Sequence, residues 1–238
     1  MGLILSLETT SATCSVALAA DGVLLKEQSD HAVNVHASRL TVLMESVLHE
    51  SSLSFVDLDA VAVSMGPGSY TGLRIGTAAA KGVCYAIGKP LIAVPTLQAL
   101  AWGMKQYVEK LQGPTRPEPE LFCPMMDARR MEVYCGLYNG DLEPIREVRA
   151  EIIHESSFAE YLSRYRILFG GPGADKCRFL FTETQNAIFF ERMALSAKFL
   201  ISFAEEKYIA ARFENLSGFE PFYLKDFIAG KPKVKGLE

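Results

Sequence analysis

Long hydrophobic runs are absent from this sequence. The first apolar stretch, residues 3–7, contains the polar Ser6 and stops at Glu8, far short of the ~20 apolar residues that span a bilayer. The beginning of the chain also lacks the basic segment that opens a secretory signal peptide. These absences predict a cytoplasmic protein that does not interact with membranes.

Metal-binding and catalytic patterns are also scarce. The five cysteines are far apart and form no C-x-x-C pair, which excludes zinc ribbons and thioredoxin-type redox sites. A zinc-protease helix needs a second histidine four residues after a His-Glu pair, but His49 and His154 are followed at that spacing by Leu53 and Phe158. No Walker loop or dinucleotide fingerprint is present. The sequence therefore predicts neither catalytic residues nor a metal site.

Charge is low in the first half of the chain. Residues 1–112 contain 16 charged residues, and residues 113–238 contain 36. The net charge of the whole chain is −4. A chain with this net charge does not attract nucleic acid through its overall field. Three prolines within residues 113–119 interrupt any helix. We therefore predict two lobes, 1–112 and 113–238, with the last helix able to pack back on the first lobe.

Hydrophobic periodicity predicts alternating strands and helices. The expected strands are 3–7, 14–18, 23–25, 60–63, 91–94, 131–138, 142–145 and 167–169. The expected helices are one carrying Leu40, Leu43, Met44, Val47 and Leu48 on one face, one over 70–87, one starting at Pro95, and two near 157–164 and 192–211. This pattern predicts an α/β protein with mixed sheets flanked by helices.

A glycine-rich segment, residues 66–76, joins the predicted strand 60–63 to the helix 70–87. Gly66 and Gly68 permit positive φ or close backbone approach, Pro67 stiffens the turn and Ser69 is suited to cap the helix. A stripe of small residues follows at every fourth position: Gly72, Gly76, Ala80, Cys84 and Gly88. Such a stripe fits a closely approaching neighbour, which is either a helix of the same chain or a partner protein.

Four segments together resemble the TsaB (YeaZ) family: residues 3–10, 66–76, 127–134 and 221–225. The resemblance covers nearly the whole chain and implies a two-lobed, actin-like (ASKHA, ribonuclease-H-like) fold. It also implies a non-catalytic scaffold and dimerisation subunit in the complex that forms N6-threonylcarbamoyladenosine at position 37 of ANN-decoding tRNAs. The implied partners are a TsaD-like catalytic subunit, a TsaE-like ATPase, tRNA through the complex, and a second copy of the chain when it is alone.

One departure from the catalytic relatives supports the non-catalytic role. Their His-x-x-x-His metal pair falls at about Thr96 and Leu100 here, and neither residue replaces an imidazole ligand. The resemblance places the superfamily's phosphate-binding hairpin at Glu8, Thr9, Thr10 and Ser11. We interpret it as vestigial and expect no cofactor, including ATP–Mg, in the isolated chain. An ATP-dependent small-molecule kinase and a glycoprotease-type metallopeptidase remain as alternatives.

The first two helices are the expected association surface. The predicted partner interface consists of Leu40, Val42, Leu43, Val47, Tyr70, Gly72, Leu73, Gly76 and Ala80. We expect Gly76→Leu to weaken partner binding while the chain still folds. If Gly76 instead faces the chain's own sheet, the substitution lowers the melting temperature and leaves the affinity of the folded molecules unchanged.

Overall fold

The computed structural model describes residues 2–32, 35–112 and 120–225. The first sheet contains β1 (Leu3–Glu8), β2 (Cys14–Ala20), β3 (Val23–Asp30), β4 (Ala60–Gly66) and β5 (Leu91–Pro95). The second contains β6 (Glu120–Asp127), β7 (Glu132–Tyr138), β8 (Pro144–Ile152), β9 (Arg166–Gly170) and β10 (Ala187–Phe189). The α-helices are α1 (His36–Glu50), α2 (Tyr70–Ile87), α3 (Thr96–Gln112), α4 (Ala159–Leu162) and α5 (Ile201–Ile209). Short 3-10 helices cover Phe55–Asp57, Asp175–Phe181 and Ala197–Leu200.

The two sheets repeat one topology. The first has the order β3-β2-β1-β4-β5, and the second has the matching order β8-β7-β6-β9-β10. In each sheet the first three strands are antiparallel, and the fourth and fifth run parallel to the first. The predicted two-lobed α/β fold with mixed sheets flanked by helices is confirmed.

Helices α1 and α2 cover one face of the first sheet. The five apolar residues predicted to share a face of α1 are all buried in the core that α1 forms with this sheet and α2. On the opposite face α5 packs against β1 and β5, where the Lys207 ammonium donates to the Ala93 carbonyl at 2.6 Å. Helix α3 joins the lobes, because its apolar side chains also pack against β6, β7 and β9 of the second sheet.

The second lobe differs most from the sequence-based prediction. Its central strand β6 was not predicted, because Pro124 lies within it and proline is disfavoured inside sheets. Helix α4 is only one turn long, and the Ser157 hydroxyl accepts from the His154 N–H instead of capping it. The helix predicted at 192–211 begins as a 3-10 turn at Ala197 and becomes α-helical at Ile201. The predicted lobe boundary adjoins residues 113–119, which lie outside the described residues.

Within the described ranges, none of the helices combines the length and apolar character that crossing a membrane requires.

Candidate functional site

The glycine-rich turn after β4 is closed by contacts that leave no room for side chains. Gly66 has a φ of +113°, and a Cβ there would lie 2.6 Å from the Phe222 carbonyl oxygen. A Cβ on Gly68 would lie 2.6 Å from the Cβ of Thr10. The Ser69 hydroxyl accepts from the Gly72 N–H at 3.2 Å, which confirms the predicted cap of α2. The turn is therefore built for close backbone packing, as the glycine spacing predicted.

The start of α2 packs on the turn that follows β1. A Cβ on Gly72 would overlap the Thr9 carbonyl oxygen, and one on Gly76 would overlap the Thr9 hydroxyl oxygen. The Thr9 hydroxyl in turn donates to the Gly72 carbonyl at 2.8 Å. From Gly72 to Cys84 the small-residue stripe of α2 thus faces its own lobe, so Gly76→Leu is expected to destabilise the fold.

This burial corrects the predicted interface residues. Seven of them have their side chains or Cα atoms inside the first lobe: Leu40, Leu43, Val47, Gly72, Leu73, Gly76 and Ala80. They support the core that holds α1 and α2 in place and present no surface to a partner. Of the predicted set, Val42 is 44% exposed and Tyr70 is half-buried.

The outward face of α2 carries a second stripe of mostly small residues. Thr71, Ala78, Gly82 and Ala86 are exposed, and Ile75, Ala79 and Val83 are half-buried beside them. A Cβ on Gly82 would meet no atom within 4 Å. The half-buried members also pack against the first-lobe core, so the part of this stripe that is open to a partner consists of its exposed residues.

Glu8 lies fully buried at the end of β1. Its carboxylate accepts from the Thr10 N–H at 2.6 Å, from the Thr10 hydroxyl at 2.5 Å and from the Ser64 hydroxyl. Burial away from water raises the pKa of Glu8, although these hydrogen bonds act in the opposite direction. The carboxylate is used to close the turn within the first lobe.

The predicted vestigial nucleotide site is therefore divided. Thr10 and Ser11 border the cleft between the lobes. However, the side chains of Glu8, Thr9 and Thr10 are all buried and bonded within the first lobe. The kinase alternative requires a carboxylate that can hold Mg–phosphate, and the buried Glu8 carboxylate is not available for that role.

The positions aligned with the metal pair of the catalytic relatives have structural roles. The Thr96 hydroxyl accepts from the Gly66 N–H at 3.0 Å, and Leu100 is buried in the core formed by α3. A single hydroxyl and an aliphatic side chain do not make a ligand set for a metal ion. Across the residues that the structure describes, no three histidine, cysteine, aspartate or glutamate side chains come together as a possible metal site.

A cleft of about 830 Å³ separates the lobes. Its first wall includes Thr10, Ser11, Ser69, Tyr70, Thr71 and the beginning of α1. Its second wall is the turn between β6 and β7, with Asp127, Arg129, Arg130 and Glu132, together with Pro172 and Lys225. The sequence analysis used residues 127–134 as a family signature but gave Arg129 and Arg130 no role. The sequence feature that could have indicated a role is that these two adjacent arginines immediately precede the predicted strand 131–138.

The residues around Phe222 connect the lobes beside this cleft. The Phe222 N–H donates to the Met65 carbonyl at 2.7 Å. The Tyr223 ring lies 5.1 Å from the Tyr70 ring, between centroids, and Lys225 forms an ion pair with Glu132 of the second lobe. This segment is attached to both walls of the cleft.

Comparison with known proteins identifies the family. The family model described as TsaD, tRNA N6-adenosine threonylcarbamoyltransferase, matches residues 27–229. The chain is 32% identical over 145 residues to the tRNA threonylcarbamoyladenosine biosynthesis protein TsaB of Bacillus subtilis, and 33% identical over 159 residues to that of Escherichia coli. The chain belongs to the TsaD family, on its TsaB (YeaZ) branch.

The coverage of these matches differs between sequence and structure. The aligned regions cover 60% and 64% of this chain, and they span 58% and 64% of the two relatives, which is less than two thirds of their length. The structure of YeaZ from Pseudomonas aeruginosa matches 94% of this chain and 100% of its own, with a TM-score of 0.76 and 25% identity. The two-lobed fold is thus shared over nearly the whole chain.

Proposed function

We propose that the chain is the non-catalytic scaffold subunit of a complex that forms N6-threonylcarbamoyladenosine at position 37 of ANN-decoding tRNAs. The names of its TsaB relatives and of the TsaD family model support a role in tRNA threonylcarbamoyladenosine formation. The observation that carries the scaffold role is the structural use of Thr96 and Leu100, at the positions of the catalytic relatives' metal pair.

The catalytic partner is a TsaD-like subunit, and the outward stripe of α2 is the surface that we propose for it. Ala78, Gly82 and Ala86 are exposed and small, so a partner helix docked on them approaches closely and packs beside the Tyr85 side chain, which is 83% exposed. Val42 of the adjacent α1 adds an exposed apolar side chain. We further propose that a second copy of the chain occupies this surface when the partner is absent, because exposed apolar faces favour self-association.

Two further associations complete the proposal. A TsaE-like ATPase joins the assembly, and tRNA is brought to the chain through the complex. Resident ATP–Mg in the isolated chain is not expected, because the Glu8 carboxylate is buried and bonded to Thr10 and Ser64. Calorimetry of the isolated chain with millimolar ATP–Mg tests this point, and saturable heat would contradict it.

Co-purification with the catalytic relative, followed by an assay of the modified nucleoside, tests the function. Gly82→Arg is the interface variant, because a Cβ there meets no atom within 4 Å and the fold is therefore expected to tolerate it. Gly140→Arg adds the same side chain at another glycine with no neighbour within 4 Å, in the second lobe. We expect Gly82→Arg to weaken partner binding at least about ten-fold, since burying an unpaired charge costs more than about 1.4 kcal/mol.

The control should bind the partner like the parent chain. Equal binding by both arginine variants would remove the outward stripe of α2 from the interface. Failure of the parent complex to form the modified nucleoside would remove the proposed function itself.

A further inference from the structure

We propose that the β6–β7 turn, with Arg129 and Arg130, binds the phosphodiester backbone of the tRNA substrate directly. This inference rests on the proposed function, which identifies the RNA. It adds a binding surface on this chain, in the cleft wall opposite α2.

The two arginines are unneutralised charges. Both side chains are exposed, and neither forms an ion pair or side-chain hydrogen bond with any residue in the described part of the chain. The nearby carboxylates are engaged elsewhere: Asp127 pairs with the Lys176 ammonium at 2.5 Å, and Glu132 pairs with Lys225. An anionic ligand would therefore meet two available guanidinium groups.

The neighbouring lysine holds the turn in place. The Lys176 ammonium donates to Asp127, to the Arg130 carbonyl at 2.8 Å and to the Glu132 carbonyl at 2.7 Å. The Arg129 N–H donates to the Asp127 carboxylate at 2.8 Å. The backbone of the turn is thus anchored by other groups, which leaves both guanidinium groups available for recognition.

The backbone conformation makes the choice of arginine unusual. Arg129 has a φ of 69° and Arg130 a φ of 52°, in the left-handed region that glycine and asparagine occupy at lower energy. A sequence selected for the turn alone would favour those residues. Two long cationic side chains in these positions therefore indicate a role outside the turn.

The rest of the cleft suits a nucleic-acid backbone. Ser69 and Thr71 are exposed on the facing wall, and their hydroxyl groups are donors of the kind that contact phosphate oxygens. The half-buried Tyr70 also lines this wall, and an aromatic side chain is a group on which nucleic-acid bases stack. Because the chain's net charge is −4, RNA binding must depend on such a local patch.

An RNA chain fits this surface better than a free nucleotide. The acidic residue at the corresponding end of β1, Glu8, is buried and cannot reach a magnesium-bound phosphate in the cleft. The arginines instead lie exposed at a turn, where a long polyanion reaches them without entering an enclosed pocket.

The test titrates a labelled, unmodified transcript of an ANN-decoding tRNA with the full chain, alone and co-purified with the catalytic relative. The charge variant is Arg129→Gln with Arg130→Gln. Its control is Arg164→Gln with Arg192→Gln, which removes two exposed arginines that do not line the cleft. Arg129→Asn with Arg130→Gly removes the same charges while placing residues that favour the left-handed backbone in the turn, so loss of binding there is not explained by strain in the turn.

We expect both cleft variants to weaken tRNA binding about ten-fold or more at about 0.1 M salt, and to reduce the slope of affinity against salt by about two. The control should leave both quantities unchanged. Binding of the cleft variants at parental affinity, or an equal loss in the control, would overturn the proposal. Displacement of tRNA by millimolar ATP–Mg would show that a mononucleotide occupies the site and would overturn it as well.

An assay of the modified nucleoside separates this inference from the proposed function. If the parent complex forms the nucleoside while the cleft variants bind tRNA normally, only the arginine surface is wrong. If the parent complex forms no nucleoside while tRNA binding depends on the arginines, only the proposed function is wrong.

Discussion

The two lobes place an acidic residue at the same point of the same topology but use it in opposite ways. Glu8 ends β1 and accepts from the N–H of Thr10, two residues later. Asp127 ends β6 and accepts from the N–H of Arg129, also two residues later. Glu8 is fully buried, whereas the Asp127 side chain is 53% exposed and paired with Lys176.

This difference shows that topology fixes where a turn lies but not what it can bind. In the first lobe the polar side chains of the turn fold inward and hold the glycine segment of α2. In the second lobe Lys176 holds the turn, and Arg129 and Arg130 remain exposed to the cleft. A ligand surface is therefore expected in the lobe whose charged side chains are not needed for folding.

The largest expected effect concerns the glycines that pack against the two turns. Gly72→Ala places a Cβ against the Thr9 carbonyl, and Gly173→Ala places one 2.8 Å from the Met126 carbonyl group. We expect losses in the free energy of unfolding of about 3 and 2 kcal/mol, because backbone atoms must move in each case. Urea denaturation measures both.

Gly82→Ala is the matched control for this pair. Its Cβ meets no atom on the outward face of α2, so a gain of about 0.5–1 kcal/mol is expected from helix propensity. If Gly72→Ala were as stable as the parent chain, the close packing of α2 on the first turn would be wrong.

The next effect separates the two acidic residues. Glu8→Ala leaves the Thr10 N–H and hydroxyl and the Ser64 hydroxyl without their buried acceptor, so we expect a loss of about 3 kcal/mol. Asp127→Ala removes an exposed pair and should cost less than about 1 kcal/mol. Equal losses in urea denaturation would contradict the contrast between the buried and exposed acids.

The smallest effect is a pH dependence that belongs to Glu8. Burial raises the pKa of Glu8 in the folded protein above 4.5. The contribution of Glu8 to the free energy of unfolding is therefore fully present below pH 4.5, and it is lost as the pH rises through the folded pKa. Glu8→Gln keeps a neutral side chain throughout, so its stability relative to the parent should increase over that window and then level off. Paired unfolding curves across pH measure this difference, and a constant difference would show that Glu8 has an ordinary pKa.

Much of the first lobe was predictable from local signals. Helix α2 spans 70–87 as predicted, because Ser69 caps it and Gly88 adopts a φ of 67° at its end. Periodicity also identified the buried face of α1. It could not identify the buried face of α2, because that helix has two stripes of small residues and only the packed fold shows which one meets Thr9.

The second lobe was harder to predict for physical reasons. Pro124 lies inside the central strand β6, and a proline argues against a strand in a prediction from sequence. The role that we propose for Arg129 and Arg130 depends on Lys176, which is distant in sequence and anchors their turn. Patterns within a short stretch of sequence cannot reveal a contact between residues that are 46 positions apart.

The route of residues 197–225 has a consequence for synthesis on the ribosome. The 3-10 turn from Ala197 and helix α5 pack on the first sheet, and Glu214 forms a β-bridge to Leu91 at its edge. Leu216 and Phe219 then join the core beneath α1 and α2. Although β1 emerges early in translation, the nascent first lobe cannot complete its core until these residues have been made, so both lobes finish folding nearly together.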